Sequence, residues 1–176
     1  MHFGMTEEQT MIVETTRAFV EKEIYPHELE IERSGHLDMD LVREIQTKAI
    51  EAGLYAANMP EEVGGAGLDT LSWLLYEKEL GRANYALHWT GVARPSNILL
   101  AGSEEQKEKY LFPCIRGEKW DCLAMTEPGA GSDLRGMAAS ARKDGDDWIL
   151  NGTKHFISHA DVADFAIVFM ATGEED

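Results

Sequence analysis

Leu123-Ala124-Met125-Thr126-Glu127-Pro128-Gly129-Ala130-Gly131-Ser132-Asp133 is an apolar run that breaks abruptly into proline, two glycines, hydroxyls and carboxylates. Before it the chain reads almost wholly as helix, and after it almost wholly as strand. Residues 120–125 predict an extended segment, because their apolar character stops at turn-forming residues. Pro128 removes a backbone donor and fixes its own φ, so a central strand cannot simply continue through it. Gly129 and Gly131 permit positive φ or close backbone approach, and Thr126 and Ser132 supply hydroxyls that donate or accept. Composition alone fits two readings here, a glycine-rich turn between strands and a loop built beside a ligand.

Upstream, Thr6 and Gln9 have the spacing of a capping box, which predicts a helix start. Ile12, Thr15, Phe19 and Ile24 recur near helical spacing, and Pro26 is expected to end or bend that helix near Tyr25. Asp38 or Asp40 begins the next helix, with Leu41, Ile45 and Ala49 on one face and Gly53 as its stop. Met59-Pro60-Glu61-Glu62-Val63-Gly64-Gly65-Ala66-Gly67 lacks the Lys-Ser/Thr of a P-loop and reads as a helix-to-helix connection. Leu71, Leu74, Leu75 and Lys78 follow helical spacing up to Gly81, and Trp73 and Tyr76 broaden that apolar face. Asn84 caps a short helix through Leu87, His88 and Val92, which Arg94-Pro95 interrupts. Residues 96–100 continue as buried-looking helix to Gly102. A second capping box, Ser103 with Gln106, opens a helix that Pro113 and Gly117 terminate. A succession of helices with few strand signals predicts a bundle.

Downstream, residues 137–142 are extended, Lys143-Asp144-Gly145-Asp146-Asp147 is a hairpin turn, and Trp148-Ile149-Leu150 resumes as strand. Asn151-Gly152 marks another turn before strands at His155-Phe156-Ile157 and Phe165-Ala166-Ile167-Val168-Phe169. The expected fold is α+β: an N-terminal α-helical bundle over residues 1–118, then the start of an antiparallel, barrel-like β-domain over residues 119–176. The β-domain reads as incomplete, since the last strand runs into an acidic tail with little chain left to cover an edge.

Lysine plus arginine total 16 against 32 aspartates and glutamates, a net charge of −16. That balance argues against nucleic acid or an anionic membrane as partner, while an anionic cofactor needs only local donors. Cys114 and Cys122 have no metal-ligand spacing and suit a reducing compartment. Met1-His2-Phe3-Gly4 has neither a secretory signal nor a basic presequence, and no apolar stretch is long enough to span a bilayer. The chain reads as cytoplasmic, although a mitochondrial matrix protein after presequence removal reads the same.

Met125-Thr126-Glu127-Pro128-Gly129-Ala130-Gly131-Ser132-Asp133, followed by Leu150-Asn151-Gly152-Thr153-Lys154-His155-Phe156-Ile157-Ser158, resembles the paired flavin-contacting signatures of the acyl-CoA dehydrogenase family. The resemblance covers essentially the whole chain and makes it part of a larger acyl-CoA dehydrogenase fold, up to the beginning of the middle β-domain. It implies FAD as cofactor and α,β-dehydrogenation of an acyl-CoA thioester in fatty-acid metabolism. It further implies electron-transferring flavoprotein as acceptor and a homo-oligomer through the full-length protein.

The resemblance places Thr126 on the flavin ring with Met125 at its edge, and Ser132 near the FAD pyrophosphate and the CoA thioester. Gly131 allows that ligand close approach. Glu127 and Asp133 either touch the site or stabilise the turn. Phe156 and Ser158 stand where the family commonly has Trp and Thr; the aromatic face and the hydroxyl survive while the indole donor is lost. His155 and His159 would share a strand face, but further local ligands are lacking and no metal site is expected. The family's base is a glutamate of a C-terminal helical domain, so no catalytic residue is assigned here and the isolated segment is expected to be inactive. The rival functions are a flavin-dependent oxidase or monooxygenase on the same fold, or a non-catalytic helical interaction module.

Overall fold

The computed structural model describes residues 4–92 and 94–173. The start of the chain and the end of the acidic tail, residues 1–3 and 174–176, lie outside the described residues. The chain divides into two compact units, Met1–Glu118 and Lys119–Asp176.

The helical unit holds α1 (Glu7–Phe19), α2 (Tyr25–Ser34), α3 (Met39–Glu51), α4 (Thr70–Leu80), α5 (Tyr85–Gly91), α6 (Glu104–Gln106) and α7 (Phe112–Ile115). Both capping boxes form: Thr6 accepts from the Gln9 amide and Ser103 from the Gln106 amide, and each glutamine returns a bond to its cap. Asp38, Asp69 and Asn84 cap α3, α4 and α5. The α3 terminus closes on Gly53, φ +69°, where the Leu54 amide reaches the Ala49 carbonyl at 2.9 Å and the Gly53 amide reaches Ile50. The left-handed glycine satisfies carbonyls that a helix end otherwise leaves unpaired. Gly117 closes α7 the same way, with the Glu118 amide on the Pro113 carbonyl at 2.8 Å.

Neither Pro26 nor Pro113 ends its helix. Each follows the first residue after a π turn, Val20–Ile24 ahead of α2 and Lys107–Leu111 ahead of α7. The residue before each proline, Tyr25 or Phe112, donates five positions back, to Val20 or Lys107. The wider turn makes room for a ring that clashes with the fourth carbonyl back in a regular helix, so helix resumes beyond it in α2 and α7.

Two predicted faces are rotated. The buried seam of α1 is Gln9, Val13, Thr16 and Phe19, with Thr15 exposed. On α4, Leu71 and Leu74 are 55% and 58% exposed, while Ser72, Tyr76, Glu79 and Leu80 are buried. Apolar residues surround α4 on most sides, so its orientation is set by polar contacts. Tyr76 donates its hydroxyl to the Leu54 carbonyl at 2.6 Å. Glu79 receives both Nε and a terminal nitrogen of Arg17 at 3.0 Å, plus Arg82 at 3.1 Å. Arg17 leads the causes that hold the Glu79 carboxyl down at about 2, against an ordinary 4.5. Residues 97–101 form a 3-10 turn with no buried side chain, in place of the expected buried helix. Among the described residues no helix is long and apolar enough to cross a membrane.

In the second unit β1 (Asp121–Ala124) pairs in parallel with β4 (Phe165–Val168). A separate three-stranded sheet has the order β3-β2-β5, where β2 (Ser140–Asp144) and β3 (Asp147–Asn151) form an antiparallel hairpin and β5 (Ala171–Thr172) joins β2 in parallel. The helical bundle followed by the start of a β-sheet domain is as expected, but among the described strand pairs only the hairpin is antiparallel. The long connections from β1 to β4 and from β2 to β5 provide the crossover length that parallel pairing needs. The strand expected at residues 155–157 is also absent. Phe156 and His159 have φ of +55° and +62°, which breaks any pleat, so the two histidines do not share a strand face. Gly152, φ +146°, begins this irregular segment with its Cα hydrogen facing Ala139; a Cβ there would lie 2.4 Å from the Ala139 Cβ.

Candidate functional site

The two signature stretches meet at the C-terminal end of β1. The first folds into a tight turn, closed by the Glu127 amide on the Ala130 carbonyl at 2.9 Å and the Ala130 amide on the Glu127 carbonyl at 3.2 Å. Pro128 and Gly129 are its corner residues, the chemistry such a turn favours. The Glu127 side chain points inward. Its carboxylate accepts from the Ala138 amide at 2.7 Å, the Ala139 amide at 3.0 Å and the Lys154 ammonium at 2.7 Å. Lys154, foremost, and these amides hold the Glu127 carboxyl below its ordinary range. Asp133 accepts from the Arg135 amide at 3.1 Å and starts a 3-10 turn over Leu134–Gly136. Both carboxylates thus stabilise turns.

Lys154 also donates to the Met125 carbonyl at 3.0 Å, and the His155 amide donates to the Thr126 carbonyl at 3.0 Å. Two consecutive residues of the second stretch hold two consecutive carbonyls of the first, so Thr126 is clamped on both flanks. Sequence reading gave no role to Lys154. It sits in a polar Asn-Gly-Thr-Lys run that resembles any exposed turn, and nothing local pairs it with a glutamate 27 positions earlier.

Met125 and Thr126 are half-buried, and Gly131, Ser132 and Ser158 are exposed. Among the described residues, neither the amide nor the hydroxyl of Thr126 has a hydrogen-bond acceptor in the protein. Gly129 and Gly131 lack positive φ, and a Cβ on either would meet nothing within 4 Å. Neither backbone conformation nor internal packing calls for glycine there, and the space above them is open. Phe156 is 86% exposed in a left-handed conformation that aromatic residues rarely adopt, its ring centroid 4.1 Å from that of His155. His159 is half-buried, and desolvation lowers its pKa against the opposing effect of Asp161. Among the described residues no group of three His, Cys, Asp or Glu could hold a metal ion.

The helical unit carries a cavity of about 520 Å³ whose lining includes Asn58, Leu68, Trp73, Trp89, Arg94 and Asn97. The Arg94 guanidinium lies 4.2 Å from the Trp89 ring centroid and donates to Glu77. Asn58 bridges the Pro95 carbonyl at 2.8 Å and the Asn97 side chain at 2.7 Å, which pins the loop after α5. The glycine-rich 59–67 stretch is the expected helix-to-helix connection, closed by the Gly67 amide on the Met59 carbonyl at 3.0 Å.

A helical unit followed by a strand unit that opens on this clamped loop defines a recognisable class. Residues 6–118 match the acyl-CoA dehydrogenase N-terminal domain, and residues 122–176 match the acyl-CoA dehydrogenase middle domain. The chain belongs to the acyl-CoA dehydrogenase family. It is 40% identical over 172 residues to the 3-(aryl)acrylate reductase of Clostridium sporogenes (strain ATCC 15579), covering 95% of this chain and 44% of that protein. It is 38% identical over 175 residues to the mitochondrial short-chain specific acyl-CoA dehydrogenase of Homo sapiens, covering 96% and 41%. The acyl-CoA dehydrogenase of Bacillus anthracis, solved in complex with FAD, superposes with a TM-score of 0.78 at 37% identity, covering 96% of this chain and 29% of that one. The chain therefore spans less than half the length of these relatives.

Proposed function

We propose that this chain supplies the helical unit and the first part of the flavin wall of an FAD-dependent enzyme that introduces an α,β double bond into an acyl-CoA thioester. The carrying observation is the clamp on Thr126, whose amide and hydroxyl have no acceptor among the described residues and whose partner His155 is followed in sequence by the exposed Phe156. A flat heteroaromatic ring with acceptor edges fits that set. Met125, Thr126, Phe156 and Ser158 would hold the ring system of FAD; Gly131 and Ser132 would take its pyrophosphate and the thioester end of the substrate. When bound, FAD accepts the electron pair removed from the acyl group.

The residues in hand bind and orient. Glu127 is a poor base, since three donors occupy its carboxylate and keep it ionised at low pH. Asp133 is committed to its turn. No catalytic residue is assigned among these residues; the family resemblance implies a glutamate of a C-terminal helical domain as the base. Electron-transferring flavoprotein as acceptor, a homo-oligomer and a cytoplasmic location, with the mitochondrial matrix as alternative, complete the reading. Family membership favours this chemistry over an oxidase, a monooxygenase or an interaction module.

The test is an anaerobic titration of the full-length protein with a panel of acyl-CoAs of graded length and branching. Bleaching of the flavin absorbance by a subset of the panel is expected. Colourless protein without FAD affinity, or yellow protein that no acyl-CoA bleaches, contradicts the proposal.

A further inference from the structure

Lys154 and Glu127 form a shielded pair, with side chains 11% and 4% exposed, directly behind the proposed flavin loop. The pair is asymmetric with respect to that loop. The ammonium touches the Met125 carbonyl at 3.0 Å, while the carboxylate is turned to the Ala138 and Ala139 amides. The Met125–Thr126 peptide is trans, so the Thr126 N–H projects from the side opposite the carbonyl that Lys154 holds. A cation on a peptide oxygen draws density through the partial double bond and makes the attached N–H a stronger donor. In a site screened from water that polarisation is not dissipated as it would be at the surface. The His155 amide fixes the next carbonyl, so the strengthened donor cannot rotate away.

We propose that Lys154 is a positioning residue that acts through the Met125–Thr126 peptide to favour the reduced over the oxidised form of the bound flavin, with Glu127 setting the size of the effect. This rests on the flavin-wall reading above. A reduced flavin carries more negative charge than an oxidised one, and donors bind more strongly to the more negative acceptor. The pair therefore acts on the difference between two redox states, beyond holding two loops together.

The experiment compares full-length protein and its Lys154→Met, Lys154→Arg and Glu127→Gln variants by FAD affinity in each redox state and by midpoint potential. Lys154→Met is expected to weaken retention of reduced FAD about tenfold more than oxidised, a fall of about 30 mV for the two-electron couple. Lys154→Arg restores most of the potential. Glu127→Gln shifts it upward, since the ammonium is then uncompensated. That opposite sign is what a purely structural role would not produce, and it keeps the proposal testable should Lys154→Met fail to fold. Potentials equal to wild type, or shifts of the same sign in Lys154→Met and Glu127→Gln, overturn the proposal. If acyl-CoA still bleaches the wild-type flavin, the proposal alone has failed; a wild-type protein that retains no FAD sinks the flavin-wall reading with it.

Discussion

Glu127 and Lys154 meet at 2.7 Å across 27 positions of sequence, and through that contact two turns become one surface. Met125, Thr126 and Phe156 owe their placement to it, because the same lysine and its neighbour His155 hold the carbonyls on either side of the Thr126 amide and side chain.

Glu127→Ala is expected to lower the urea midpoint of the strand unit more than any substitution on the exposed hairpin. It leaves the Ala138 and Ala139 amides without their acceptor and an ammonium without its counter-ion. The stabilising contribution of Glu127 is present above the ordinary carboxyl range and is lost as pH falls through its depressed value. Denaturant titrations at neutral and acid pH check both statements.

Glu79 does the corresponding work between α1 and α4. Glu79→Gln is expected to destabilise the helical unit, though by less than breaking a fully buried pair, because Arg17 stays half-exposed and can rehydrate. With a folded value of about 2 against 4.5, the contribution of Glu79 is complete above 4.5 and drains away as pH falls toward 2. Melting curves over that interval should decline more steeply for the wild type than for the variant.

What was legible in the sequence was local. Thr6 with Gln9, Ser103 with Gln106, and the stops at Gly53 and Gly117 depend on residues within one turn of each other, and they formed as read. The face of α4 was not legible, because leucines, Trp73 and Tyr76 leave no unique apolar side and Arg17 decides it from 62 positions away. That Pro26 and Pro113 do not end their helices was not legible either, because the π turns that accommodate them have no sequence signal of their own. At the site, the two stretches were recognisable from their residues, but their joint required Lys154, which reads as a surface charge. The strand expected at residues 155–157 failed on the left-handed Phe156.

Gly152→Ala is expected to destabilise the strand unit by about 1–3 kcal/mol, the range for overpacking a tight contact. Its Cβ would collide with Ala139, whose amide is one of the Glu127 donors, and its φ of +146° disfavours any side chain. Thermal unfolding of the variant checks this, and an unchanged midpoint would contradict the close approach.

Phe156→Ala separates site from scaffold. With the ring 86% exposed, stability is expected to change by no more than about 0.5 kcal/mol. In the full-length protein, however, the flavin absorbance band should shift or FAD should dissociate more readily. A large loss of stability with an unchanged spectrum would give Phe156 a purely structural role.

The most direct measurement is the structure of the full-length protein with FAD bound, read at one residue. The Thr126 amide and hydroxyl, which lack acceptors among the described residues, are predicted to lie within hydrogen-bond distance of the flavin ring, with Phe156 against its face. FAD bound elsewhere, with the 125–133 loop facing bulk solvent, would contradict the account.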